Sequence, residues 1–99
     1  MRVISQDGYM DIPYDYFSLS IASGKYEDVE VACIYCHNLS SPNGTKLAEY
    51  SSREKALKVM ELLRESYLKF AHATNDNSFY TFFDNPKVFL FPADDEVQV

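Results

Sequence analysis

The stretch from Ser51 to His72 constrains the fold more than any other part of the chain. Ser51 followed three residues later by Glu54 predicts a capping box, in which each side chain accepts a backbone N–H at the helix start. Apolar residues then recur at helical spacing: Ala56, Leu57, Met60, Leu63, Tyr67, Phe70 and Ala71. The opposite face is charged. We therefore predict one long amphipathic helix whose apolar face covers a sheet.

Runs of β-branched and aromatic residues on both sides of this helix predict the strands. The runs are Arg2–Ser5, Tyr9–Ile12, Tyr14–Ile21, Val29–Cys36, Lys46–Tyr50 and Lys87–Phe91. Pro13 cannot donate to a sheet ladder, so the second run is expected at a sheet edge. In the third run, Phe17, Leu19 and Ile21 alternate with polar residues and are predicted to face the core. The predicted fold class is α+β, a mostly antiparallel β-sheet with one long α-helix packed on it.

Turn-forming residues separate these runs. Ser23-Gly24-Lys25 indicates a hairpin, and the following Tyr26-Glu27-Asp28 makes its predicted loop longer than the tightest type. The polar stretch Asn38–Thr45, which contains Asn-Gly, indicates an exposed loop or wide hairpin tip. After the helix we expect a polar connector over Ala73–Ser78, an aromatic run over Phe79–Phe83 and a turn at Asp84-Asn85-Pro86.

The composition is that of one folded, acidic domain. Residues 1–99 are 46% hydrophobic, enough for one core, and residues 93–99 are interpreted as an acidic C-terminal tail. The formal net charge of −6 argues against direct binding of nucleic acid, which requires clustered Lys and Arg to neutralise phosphates. The start, MRVISQDG, resembles neither a secretion signal nor a membrane span, so a cytoplasmic protein is expected.

The segment from Cys33 to His37, CIYCH, has the spacing of a covalent haem attachment motif. Haem attachment requires export, and the motif falls in a predicted strand, where residues three apart point to opposite faces. We therefore interpret Cys33 and Cys36 as small packing residues. The second histidine, His72, lies far away on the helix, and the acids Asp94–Glu96 are consecutive at the chain end, so no metal site and no cofactor are expected.

No catalytic motif is recognisable in the sequence. No serine lies in a Gly-x-Ser-x-Gly elbow, and three glycines do not form a phosphate-binding loop. Aromatic rings and arginines remain, and these can hold a nucleotide by stacking on its base and binding its phosphate. The candidates are Tyr14, Tyr16, Phe89, Phe91, Arg2, Arg53 and Arg64. The sequence thus predicts a binding protein rather than an enzyme.

Three separated stretches resemble one group of small proteins. They are RVISQDGYMDIPYDY at the start, AEYSSREKALKVMELLRESY in the helix and FLFPADDEVQV at the end, together roughly half of the chain. They are similar to small proteins from phages and prophages of Firmicutes, which open with RVISQDG, carry a Tyr-Ser-x-x-Glu-Lys-Ala helix and end in Phe-x-Phe-Pro-Ala-Asp-Asp-Glu.

That group resembles the Thoeris anti-defence sponge proteins, which fold as a sheet with helices, assemble as oligomers and sequester cyclic signalling nucleotides without cleaving them. The resemblance implies a homo-oligomer in the host bacterial cytoplasm, with a pocket formed by Arg64 and the Phe91–Pro92 region. Together with the aromatic candidates, the predicted ligand-binding residues are Tyr16, Arg64, Phe89, Phe91 and Pro92. Members of the group often carry Arg or Gln between the two phenylalanines, where this chain has Leu90 and so lacks one phosphate contact.

Two other functions fit the same residues. A phage inhibitor could bind a host defence protein, such as a CRISPR nuclease, through an acidic surface that mimics nucleic acid. A structural or regulatory phage protein would need no small ligand. A sponge needs its few cations in one pocket, whereas a mimic needs its acids on one exposed face, so the placement of charge separates these functions.

Overall fold

The structure, a computed structural model, describes residues 1–38, 40–76 and 88–99. Within these residues, six strands and one α-helix follow in the order β1 (Arg2–Ile4), β2 (Asp11–Pro13), β3 (Ser18–Tyr26), β4 (Val29–Asn38), β5 (Ser41–Tyr50), α1 (Arg53–Asp76) and β6 (Val88–Leu90). Short 3₁₀ helices cover Tyr14–Tyr16 and Asp94–Glu96.

The strands form two three-stranded sheets rather than one. The first has the order β2-β1-β6, in which β1 is antiparallel to β2 and parallel to β6. The second is an antiparallel meander in the order β3-β4-β5. The α+β fold class predicted from the sequence is confirmed. Pro13 pairs with Arg2 on the outer strand β2, at the sheet edge expected from its missing N–H.

The loop of the β3–β4 hairpin is tighter than the sequence predicts. Its two-residue turn is Glu27-Asp28, both with positive φ (50° and 65°), and Tyr26 pairs with Val29 across it. A two-residue turn with positive φ at both positions matches the right-handed twist of the flanking strands. The loop predicted over residues 23–28 is too long, because Ser23, Gly24, Lys25 and Tyr26 continue β3 and only Glu27 and Asp28 form the turn. The predicted strand start at Tyr14 is also wrong, because a 3₁₀ turn precedes Ser18.

Strand β5 begins well before the predicted start at Lys46. Most of the predicted loop Asn38–Thr45 is strand, since β5 starts at Ser41. The pairing of β4 with β5 is irregular there, with register shifts at Ile34/Tyr35 and Cys36/Asn38. Gly44, with φ of +86°, supplies the backbone conformation that an L-residue with a side chain rarely adopts.

Helix α1 is capped by Ser52, one residue after the predicted cap. The Ser52 hydroxyl accepts the backbone N–H of Lys55 at 3.1 Å, and Ala56 N–H bonds to the Ser52 carbonyl. The Glu54 partner of the predicted capping box is therefore out of register. The helix also continues past His72 to Asp76, through part of the predicted connector.

The helix packs on the meander through Ala56, Val59 and Leu63, which are fully buried and spaced three and four residues apart. The predicted stripe is shifted, because Leu57 is exposed and Val59 takes its place in the core. Phe17, Leu19 and Ile21 pack against this core as predicted. The largest buried side chains come from both sheets and the helix: Val3, Ile34, Leu47, Tyr50, Val59, Leu63 and Phe91.

The C-terminal segment Ala93–Val99 packs against the body rather than forming a solvated tail. Val97 is buried, and Asp94 accepts the backbone N–H of Ser51 at 2.8 Å. The predicted aromatic run Phe79–Phe83, the turn at Asp84-Asn85-Pro86 and the first residue of the last predicted strand lie outside the described residues.

Candidate functional site

The three stretches that carry the sequence resemblance meet in space around the side chain of Gln6. Its amide nitrogen donates to the carbonyl oxygens of Glu49 (3.1 Å) and Pro92 (3.0 Å), and its amide oxygen accepts the N–H of Glu49 at 2.9 Å. The Tyr50 hydroxyl donates to the same Pro92 carbonyl at 2.8 Å. The Gln6 side chain thus satisfies three backbone groups, the N–H and the carbonyl of Glu49 and the carbonyl of Pro92. It joins the chain after β1 to the end of β5 and to the chain after β6.

The acidic segment is held to the start of the helix at the same junction. The Lys55 ammonium donates to the Asp94 carbonyl at 2.9 Å and lies 3.5 Å from its carboxylate. The N–H of Ser51 and, to a lesser degree, Lys55 lower the pKa of Asp94 below its ordinary value. The Tyr50 hydroxyl is buried beside this carboxylate, and burial raises the pKa of Tyr50. Several residues of the three stretches, among them Gln6, Tyr50 and Asp94, therefore have a structural role.

Phe91 lies inside the core and is 2% exposed. Its ring packs edge-on against Phe89, with centroids 5.5 Å apart. A ring in this position stabilises the fold and presents no face to a ligand on the surface.

Phe89 and Pro92 share a cleft with the part of helix α1 from Leu62 to Lys69. The cleft has a volume of about 330 Å³ and is lined by Leu62, Glu65, Ser66, Lys69, Phe89, Leu90 and Pro92. The helix contributes residues at spacings of three and four, so one helix face forms one wall. The site brings a half-buried aromatic ring, a hydroxyl, a cation and the Glu65 carboxylate together.

Arg64 is exposed and does not line that cleft. It follows Leu62 by two residues, and residues two apart on a helix do not face the same side. Tyr16 does not line the cleft of Phe89 and Pro92 either. It lies beside Ser18 and His37 at a separate cleft of about 610 Å³ and is 77% exposed. The five predicted ligand-binding residues thus occupy four different places, and of the five only Phe89 and Pro92 line one cleft.

A serine–histidine pair that was not predicted from the sequence lies on the open face of the meander, the face opposite the core-facing residues Leu19 and Ile21. Ser20 Oγ is 2.6 Å from His37 Nε2, and His37 Nδ1 is 3.0 Å from the carbonyl oxygen of Pro42. A carbonyl only accepts, so Nδ1 carries the proton in the neutral ring, and Nε2 accepts from the serine hydroxyl. The hairpin register places Ser20 diagonally from His37, and a correct turn position would have revealed the pair.

Gly44 makes room for the His37 ring. A β-carbon built on Gly44 would lie 2.6 Å from Cε1 and 2.8 Å from Nδ1 of that ring, closer than real contacts allow. The missing side chain and the positive φ are therefore both needed at Gly44.

The two cysteines point to opposite faces of β4, as the strand pattern predicts. Cys36 is in the core, whereas Cys33 Sγ lies 3.8 Å from Glu49 Oε1 near the open face. Burial raises the pKa of both thiols, which keeps them protonated and weakly reactive. Among the described residues, no group of three His, Cys, Asp or Glu side chains is arranged to hold a metal ion.

The helix that the structure describes lacks the long apolar stretch that crossing a membrane requires. Comparison with known proteins finds no matching family model, no matching curated protein and no matching solved structure.

Proposed function

We propose that this chain is a phage anti-defence protein that captures a cyclic signalling nucleotide stoichiometrically and does not cleave it. The observation that supports this function is the convergence of Phe89, Pro92 and Lys69 at one cleft. In this proposal Lys69, rather than Arg64, is the cation that binds the ligand.

The chemistry of the cleft suits one base and one phosphate. The half-buried Phe89 ring offers a surface for stacking, and the Lys69 ammonium and Ser66 hydroxyl can bind phosphate oxygens. Stacking of a base on an aromatic ring contributes about 1–3 kcal/mol, so a ring and one charge-assisted contact give weak to moderate binding per chain. Leu90 at the rim adds apolar area where a polar residue would add a phosphate contact.

The test is calorimetry with cyclic ADP-ribose isomers and with cyclic di- and trinucleotides. We expect binding by the wild-type protein, recovery of the ligand unmodified, and at least tenfold weaker binding by Phe89→Ala and Lys69→Gln. A tenfold loss corresponds to about 1.4 kcal/mol.

Two matched variants serve as controls. Lys58→Gln removes a helix lysine that lies 3.9 Å from Glu61 and does not line the cleft, and Arg64→Ala removes the cation predicted from the sequence. Both should bind like wild type. Loss of binding with Arg64→Ala and not with Lys69→Gln would move the pocket away from this cleft, and the absence of heat with every nucleotide would contradict nucleotide capture.

A second function, inhibition of a host defence protein, is favoured by the end of the β3–β4 hairpin. Every residue from Ala22 to Glu30 is exposed, and the turn presents Glu27 and Asp28 beside Tyr26 and Val29. Two acids next to apolar side chains at an exposed tip suit a basic groove on another protein. Tight binding of a purified CRISPR nuclease that Glu27→Lys with Asp28→Lys abolishes, without any nucleotide binding, would favour this function.

A further inference from the structure

We infer that Ser20 is a nucleophile activated by His37, able to accept an acyl group from a carboxylic ester at the cleft beside Tyr16. This activity goes beyond the proposed nucleotide capture and resides on a different surface, the open face of the meander. It rests on the hydrogen bonds of Ser20, His37 and Pro42 and on the fit of Gly44.

The first support is the hydrogen-bond relay. Ser20 Oγ and His37 Nε2 are 2.6 Å apart, within the range at which a base removes a proton from a nucleophile. The Pro42 carbonyl, 3.0 Å from Nδ1, fixes the tautomer that leaves Nε2 unprotonated. A carbonyl here orients the ring as a carboxylate does in a catalytic triad, without supplying its charge.

The second support is the close packing of the histidine. The ring lies against Gly44, where even a β-carbon would collide with it. A ring held on one side by backbone and at both nitrogens by hydrogen bonds is preorganised, which a surface histidine ordinarily is not.

The third support is access to substrate. Ser20 is exposed, and His37 lines the cleft of about 610 Å³ together with Tyr16 and Ser18.

The reaction balances with water as the only co-reactant. Ser20 Oγ bonds to the ester carbonyl carbon while its proton passes to His37 Nε2. The bond from that carbon to the alcohol oxygen then breaks, and the imidazolium returns the proton to the departing alcohol. Water attacks the acyl-serine in the same way, which releases the carboxylic acid and restores Ser20.

The experiment uses an alkyl fluorophosphonate, which forms a bond from phosphorus to the serine oxygen as fluoride leaves, and p-nitrophenyl acetate as the ester. Intact-mass and peptide analysis should show one adduct, on Ser20. Ser20→Ala should abolish labelling and ester turnover. His37→Ala should slow both at least about tenfold, since a general base contributes on the order of 10²–10⁴-fold.

Two further variants separate activation from folding. Ser23→Ala removes an exposed serine of the same strand from the other face and should label like wild type. Gly44→Ala should displace the His37 ring and slow labelling, while circular dichroism reports whether the fold is retained. Absence of an adduct, an adduct elsewhere, or unchanged labelling of Ser20 in His37→Ala would overturn the inference. None of these results depends on nucleotide binding at the Lys69 cleft.

Discussion

Single side chains with several partners hold this fold together, and Gln6 is the clearest example. One neutral amide satisfies two carbonyl oxygens and one N–H on segments 43 and 86 residues away. Only an amide has a donor and an acceptor in this arrangement, since a carboxylate has no proton to give. The sequence pattern RVISQDG marks the residue, but nothing local in it indicates partners so distant.

Gln6→Glu should therefore destabilise the protein although it changes almost no volume. At neutral pH the carboxylate would face the carbonyl oxygens of Glu49 and Pro92, and we expect a loss of about 1–3 kcal/mol in the free energy of unfolding. Urea unfolding measures it, with Gln98→Glu, an exposed position, as the control. Equal stability of Gln6→Glu and wild type would contradict the role assigned to the amide.

The contacts of single residues also explain which site residues could be predicted from the sequence. Phe89 and Pro92 are three residues apart in the chain, so their shared cleft lies within one local motif. The motif does not reveal that Phe91 turns inward. The Ser20–His37 pair requires the register of a hairpin, which an error in the turn position conceals.

The elements differ in how clearly the sequence specifies them. The helix is readable because many apolar positions repeat at one spacing, and an error of one residue at the cap leaves the pattern intact. The hairpin turn is not readable, because Glu27 and Asp28 adopt positive φ without the glycine or asparagine that usually signals it. Ser23-Gly24-Lys25 has the typical composition but sits in a regular strand.

The cap position gives a paired test at the helix start. Ser52→Ala removes the hydroxyl that accepts the Lys55 N–H and should cost about 1 kcal/mol of stability. Ser51→Ala should cost less, because the larger contribution of Ser51 to Asp94 is its backbone N–H, which the substitution keeps, and only the weaker side-chain hydrogen bond is lost. Chemical unfolding of both variants measures the difference, and a larger loss for Ser51→Ala would restore the cap predicted from the sequence.

The turn gives a second test at this scale. Asp28→Gly places a glycine where φ is 65°, and we expect a gain of about 0.4–1 kcal/mol in the free energy of unfolding from relieved backbone strain. Gly24 lies in the strand, so Lys25→Gly beside it should instead destabilise. Thermal unfolding of the two variants should shift in opposite directions, and a destabilised Asp28→Gly would argue against this turn.

At the scale of the whole molecule, the C-terminal segment closes the structure, and its contact is sensitive to acid. The pKa of Asp94 is lower in the folded chain than in the unfolded one, so its contribution is present above the unfolded value of about 3.9 and is lost as the pH falls through the folded value. Because the carboxylate is partly exposed, we expect only about 1 kcal/mol at neutral pH.

Asp94→Asn should accordingly be less stable than wild type at pH 7 and match it near pH 2. Urea unfolding across this range measures the difference, and Asp95→Asn, at the exposed neighbouring position, should follow the wild-type curve throughout. A stability difference for Asp94→Asn that is the same at both ends of the range would show that the carboxylate charge is not the cause.

At the scale of the whole molecule, the outer edge of strand β3 leads us to predict contacts between copies of the chain. Strand β3 lies at the edge of its sheet in the described structure. Tyr26 at the end of β3 and Val29 at the start of β4 are 73% and 62% exposed. Natural proteins usually cover or charge such an edge.

We therefore expect two copies to pair through β3, antiparallel about its midpoint at Ala22, so that light scattering reports twice the 11.4 kDa of one chain at micromolar concentration. Ala22→Lys places two ammonium groups opposite each other in that pairing and should yield the monomer, because like charges directly opposed destabilise a strand pair. Leu57→Lys, a change to lysine on the exposed side of the helix, should leave the dimer intact. A wild-type mass of 11.4 kDa, or an unchanged dimer with Ala22→Lys, would exclude pairing through this edge.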